Sequence, residues 1–135
     1  MNLNPIRYAE LNAKQKEIYN FQKVAAKLAD YGFNCIKLAD DWQGADFLAY
    51  HKDGAETLKV QLKGRLLIHR SYVGKHLYMA FPLDDEWYLV PHDEIVAHFS
   101  TETSYLETPS WQDQGTYHSG RPNQATRTWL EAYRL

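Results

Sequence analysis

Asp46 and the triplet Gln61-Leu62-Lys63 are the residues whose types and spacing could do chemistry in this chain. Between them lies Lys52-Asp53-Gly54-Ala55, a hairpin signal, because a tight type I′ turn needs positive φ at both central positions and Asp-Gly supplies it. Placing Asp53-Gly54 at the tip sets Lys52 against Ala55, and counting outward sets Asp46 against Gln61. A four-residue loop gives the same register. Directly opposed side chains share a sheet face with Cβ atoms ~4.5–5.5 Å apart. Lys63, two residues past Gln61, lies on that face too. A carboxylate, an amide oxygen and an ammonium thus converge at the open end of one hairpin. Such a set can hold a divalent cation through hard oxygen donors and place positive charge beside a charged nucleophile.

The hairpin's other face fixes the orientation. Ala45, Phe47 and Ala49 alternate with the polar set on one strand, and Leu58, Val60 and Leu62 do so on the other. This apolar face is expected to pack against a helix. A slip of one residue would bury Gln61 and Lys63 and expose Val60 and Leu62. Leu48 and Tyr50 stand on the polar face and call for cover from another part of the chain.

The elements around the hairpin follow from periodicity and breakers. Residues 11–31 read as an amphipathic helix, with Leu11, Ile18, Phe21, Val24, Ala25 and Leu28 at helical spacing, Asn12 as N-cap and Gly32 as the stop. Glu17 falls beside its apolar stripe. Residues 33–39 read as a strand with Cys35 buried in it, and 40–44 as a loop. The hairpin spans 45–64. Residues 65–70 continue into a third segment, and 71–75 form a connection. Residues 76–81 and 86–90 are two further strands, and Pro91 opens a helix over 92–99. Residues 100–122 read as irregular but ordered against the body through Tyr105, Trp111 and Tyr117. A last helix spans 123–133, capped by Asn123 and anchored by Trp129, Leu130 and Tyr133.

Composition bounds the function classes. At 135 residues the chain is expected to be one domain, 1–135, with one core. A net charge of −2 makes no global case for nucleic-acid binding, so any such surface must be a local patch. No apolar run reaches membrane-spanning length, and the opening residues lack a signal peptide's apolar stretch. The single cysteine allows no intramolecular disulfide, and a cytoplasmic setting is expected. None of the six histidines forms a zinc-like spacing.

With these residues in place, the chain resembles the PD-(D/E)XK nuclease superfamily, the restriction-endonuclease-like fold. The likeness covers residues 11–99: the helix ending in Leu28-Ala29-Asp30-Tyr31-Gly32-Phe33, the segment Gly44-Ala45-Asp46-Phe47-Leu48-Ala49-Tyr50, the hairpin, and Lys59-Val60-Gln61-Leu62-Lys63-Gly64-Arg65. Glu86-Trp87-Tyr88-Leu89-Val90-Pro91 and the helix after it match the later strand and helix of many members. The resemblance implies an α/β fold with a central mixed β-sheet flanked by helices. It implies that Asp46 and Gln61 bind Mg²⁺ or Mn²⁺ with the Leu62 backbone carbonyl, that Lys63 orients or activates water, and that Glu17 on the first helix adds a carboxylate. Ala45 stands where the family has proline. Gln61 stands where it has an acid, a Gln-x-Lys variant similar to that of some intron-encoded homing endonucleases.

The activity so implied is metal-dependent hydrolysis of DNA phosphodiesters by an endonuclease. Arg65, Arg70, Lys75 and Arg121 are the candidate phosphate contacts. The resemblance also implies a dimer or tetramer, since a small nuclease core without a separate recognition domain cuts both strands as an oligomer. Two other readings fit the same residues: an inactive member serving as a nucleic-acid-binding or protein-interaction module, and an unrelated α/β domain in which the Asp/Gln/Lys set is incidental.

Overall fold

Asn12 opens the long helix with a reciprocal cap: its side chain accepts from the Gln15 N–H, while the Gln15 side chain accepts from the Asn12 N–H. The computed structural model describes all 135 residues. Helix α1 runs Ala13–Ala29 and ends at Gly32, whose φ of +85° reverses the chain into the sheet. Strands β1 (Phe33–Trp42), β2 (Ala45–His51) and β3 (Thr57–Leu62) follow as an antiparallel meander. β4 (Leu66–His69) leaves the sheet, and β5 (Leu77–Leu83) returns parallel to β3. β6 (Glu86–Pro91) closes an antiparallel hairpin with β5, giving the order β1-β2-β3-β5-β6. Helices α2 (His92–Glu102), α3 (Pro109–Gln114) and α4 (Gln124–Leu130) flank this mixed sheet. This is the central mixed α/β architecture expected from the sequence.

The β2–β3 hairpin has the predicted register. Phe47 pairs with Val60, Ala49 with Leu58 and Tyr50 with Thr57. The loop is the four-residue version: the His51 N–H donates to the Glu56 carbonyl at 2.9 Å, and Asp53 accepts from the Ala55 N–H at 2.8 Å.

Alternation divides the sheet into two faces. Phe47, Ala49, Leu58, Val60, Ala80 and Trp87 pack under Val24 and Leu28 of α1. Met79, Phe81, Leu83, Tyr88 and Val90 face the other way, onto Ile95 and Phe99 of α2, Trp111 and Leu130. Cys35, half-buried on the α1 side, has its thiol pushed up to about 11 by burial, so it is an inert packing group.

Four expectations need correction. β1 extends to Trp42 through an irregularity after Lys37, and only Gln43-Gly44 form the turn expected over 40–44. Pro91 ends β6 and caps α2 from outside, so the helix starts at His92 and runs to Glu102. The stretch 100–122 is not irregular throughout: it holds α3 and a strand, β7 (Thr116–Ser119), which pairs with β4 in a second two-stranded sheet. Four residues of strand among Ser, Thr and Gly leave too little alternation to read. Finally, Tyr50 receives no cover: it remains exposed, with Ile36 on the adjoining strand.

Phe47 is fully buried and meets Phe21 edge-on with centroids 5.2 Å apart. Phe47→Ala is expected to cost ~3–5 kcal/mol in urea unfolding, since the site is roofed by a helix and cannot collapse.

Candidate active site

Asp46 sits where β2 and β3 part. Their ladder ends at Phe47 and Val60, while Leu62 has moved on to pair with Ala80 of β5. The N–H of Leu62 is taken instead by the Asp46 side chain, Oδ2 accepting at 2.8 Å. The carboxylate thus replaces a ladder acceptor and is locked beside Gln61-Leu62-Lys63. On the other side of the triplet, the Lys63 N–H donates to the Ala80 carbonyl at 2.9 Å. The peptide carrying the lysine is therefore tied to the centre of the sheet.

The approach to Asp46 is built by a tight turn. Gln43 and Gly44 have φ of +55° and +84°. A Cβ on Gly44 would stand 2.7 Å from Leu77 Cδ1 and 3.3 Å from Tyr72 Cδ1, so only glycine fits. Tyr72 packs edge-on against His92, which is fully buried and accepts from the His69 N–H through Nε2 at 3.1 Å. Burial holds the His92 imidazole below its usual range, opposed by Asp93, so the ring is a neutral prop.

Gln61 is 4% exposed, and its Oε1 is the one buried side-chain oxygen or nitrogen without a hydrogen-bond partner. An orphaned buried carbonyl oxygen costs free energy unless something fills its lone pairs. Beside it, burial raises the Asp46 carboxyl above 3.8, while the Leu62 N–H and the Lys63 charge pull it down and Asp41 and Glu17 add to the rise.

Glu17 has cationic partners of its own. Its side chain is half exposed, and Oε1 pairs with Lys37 Nζ at 3.1 Å and, more loosely, with Lys14 at 3.7 Å. The Lys37 hydrogen bond holds its carboxyl below the ordinary value. Of the predicted site, the structure ties Asp46 to the backbone of Gln61-Leu62-Lys63, and both Lys63 and Glu17 lie near enough for their charges to act on Asp46.

The candidate phosphate contacts are scattered. Arg65 and Arg121 are exposed, and Lys75 is half-buried in the turn before β5. Arg70 is committed elsewhere: its guanidinium donates to the Trp111 and Gln112 carbonyls, closing the C-terminal end of α3. Tyr72, missed in the sequence, left no signal there, because its position depends on His69 and His92 from separate elements. No cluster of three or more acidic, histidine or cysteine groups exists for a metal.

No protein-family model matches the sequence, and no curated protein matches it. Among solved structures, the chain is similar to a bacterial homing endonuclease, at 15% identity over 90% of this chain and 94% of that one, with a TM-score of 0.49. It is also similar to a Holliday junction resolvase from the archaeal hyperthermophile Archaeoglobus fulgidus, at 18% identity over 58% of this chain and 74% of that one, with a TM-score of 0.46.

The balance at Asp46 has a measurable sign. A carboxyl raised on folding keeps its proton longer in the folded state, so stability falls as pH rises through the window above 3.8. In metal-free buffer, carbon-detected NMR titration is expected to place Asp46 above that value and to move it higher in Lys63→Ala. Asp46→Asn should remove the stability loss across the same window.

Proposed function

We propose that this protein is a divalent-metal-dependent DNA endonuclease with its reaction centre at Asp46, Gln61 and Lys63. The observation that carries the reading is the pairing of a backbone-locked carboxylate with a buried, unpartnered amide oxygen in register with a lysine. Oxygen donors of this kind suit Mg²⁺ or Mn²⁺. Asp46, Gln61 Oε1 and the Leu62 carbonyl would hold the ion, with Glu17 joining only by leaving Lys37. Bound there, the cation would neutralise phosphate charge and lower the pKa of a water.

The chain's own groups supply the rest. Asp46, held through Oδ2 by Leu62, keeps Oδ1 free and cannot swing away. Lys63, fixed through its peptide, places an ammonium where negative charge grows on the phosphate oxygens. Hydrolysis forms one new P–O bond from water and breaks one, and the departing oxygen takes up a proton. Arg65, Lys75 and Arg121 would carry neighbouring phosphates. One centre cuts one strand, so a dimer or tetramer would serve duplex cleavage.

One observation favours a second reading. Glu17 is paired to Lys37 and Gln61 stands where an acid would add charge, which suits an inactive binding module.

Nicking of supercoiled plasmid with Mg²⁺ or Mn²⁺ is expected from the wild type and not with chelator present. Lys63→Ala should lower its rate ~10²–10³-fold, as losing one transition-state donor does, and Asp46→Ala, which removes the charged metal ligand, should lower it at least as far. No nicking and no Mg²⁺ uptake in calorimetry would favour the binding module. Gln61→Glu adds a second buried carboxylate. It is expected to tighten Mg²⁺ binding and to lower the melting temperature of the metal-free protein.

A further inference from the structure

An open cavity of about 620 Å³ lies between α1, the residues just after Lys63 and the β5–β6 turn. Its size is within the ~300–1,000 Å³ of small-ligand sites. Aromatic rings form part of the wall: Tyr8 and Tyr19 stand 5.3 Å apart, and the buried Trp87 also lines it. Lys23, Lys27 and Arg65 line it as well, and none of them has an acidic partner. Lys23 Nζ lies 5.2 Å over the Tyr19 ring, and Lys16 Nζ lies 5.3 Å over Tyr8.

The sequence lays this out as one stripe. Lys16, Asn20, Lys23 and Lys27 recur at intervals of four, three and four, which is one face of α1. Asn20, 7% exposed, donates from Nδ2 to the Tyr8 hydroxyl at 2.9 Å and so pins the tyrosine to the wall. The opposite rim is acidic. Asp84 and Asp85 form the β5–β6 turn with φ of +48° and +67°, and Arg127 holds Asp84 at 2.8 Å. Carboxylates repel phosphates and accept from amino groups.

We propose that this cavity takes an unpaired nucleotide of a DNA strand. Its base stacks in the Tyr8–Tyr19 wall, its phosphate meets Lys23, Lys27 and Arg65, and its amino edge faces Asp84 and Asp85. A base inside a duplex is stacked on its neighbours and cannot enter, so the cavity selects a single-stranded segment. Gly64 and Arg65 line the cavity and directly follow Lys63 in the chain, so the strand that carries Lys63 runs on into the cavity wall. The proposal rests on the reading of this protein as acting on DNA, and deepens it from DNA at large to DNA with an unpaired segment.

The test is metal-free binding by fluorescence anisotropy, with chelator present, to duplexes of equal length that are blunt or carry a single-stranded tail with 2-aminopurine. The wild type is expected to bind the tailed form about tenfold more tightly, within the range that one stacked base contributes, and to change the probe's emission. Tyr19→Ala, and separately Lys23→Ala with Lys27→Ala, should lose that preference, while Tyr19→Phe and Lys63→Ala keep it. Both lysines are exposed, so their double variant stays folded. Equal affinity for the two duplexes, no binding to either, or a preference that survives both pocket variants would overturn the proposal. A tail preference without any nicking would instead remove only the endonuclease reading.

Discussion

The hydrogen bond from the Leu62 N–H to the Asp46 carboxylate is the constraint on which the site depends. β2 and β3 separate at this point, and a parting pair of strands leaves a donor that must be satisfied. An aspartate at the first unpaired position satisfies it and is immobilised in return. The residue before the donor is Gln61 and the one after it is Lys63, so one bond holds the aspartate carboxylate against the backbone that carries both. The parallel β3–β5 pairing holds the far side of the same triplet.

That geometry carries a cost. Burial disfavours the Asp46 anion, the Gln61 amide oxygen has no partner, and Gly44 occupies backbone that a side chain would strain. Unfavourable groups gathered at one spot are what a ligand site looks like before its ligand arrives, because the ligand relieves them together. The Lys63 charge offsets part of the Asp46 penalty. The two faces of the sheet share the remaining work: α1 buries the apolar side of the hairpin, while β4, β7 and α2 pack behind β5 and support Tyr72 through His69 and His92. No helix is long and apolar enough to cross a membrane.

Much of this was legible in the sequence because the signals are local. The Asp-Gly turn and period-two alternation set the hairpin register, and with it the neighbourhood of Asp46, Gln61 and Lys63. Helical spacing and Asn12 set α1 to within two residues at each end. Asn123 was readable as a cap for the same reason: a capping side chain bonds a backbone N–H three residues away, here that of Thr126.

What only the tertiary structure decided depends on residues far apart in the chain. Glu17 was placed beside the apolar stripe by its helical position, yet its carboxylate went to Lys37, twenty residues on, because β1 runs under α1 there. Arg70 looked like a free cation and became a cap for α3 across 42 residues. β7 formed because β4 offered it a partner. The cavity joins an N-terminal tyrosine, a helix face and a distant turn. Periodicity and turn chemistry record what neighbours along the chain require, so they fix elements and register. Which charges pair, and which stay free, is set when those elements pack, by distances no local pattern encodes.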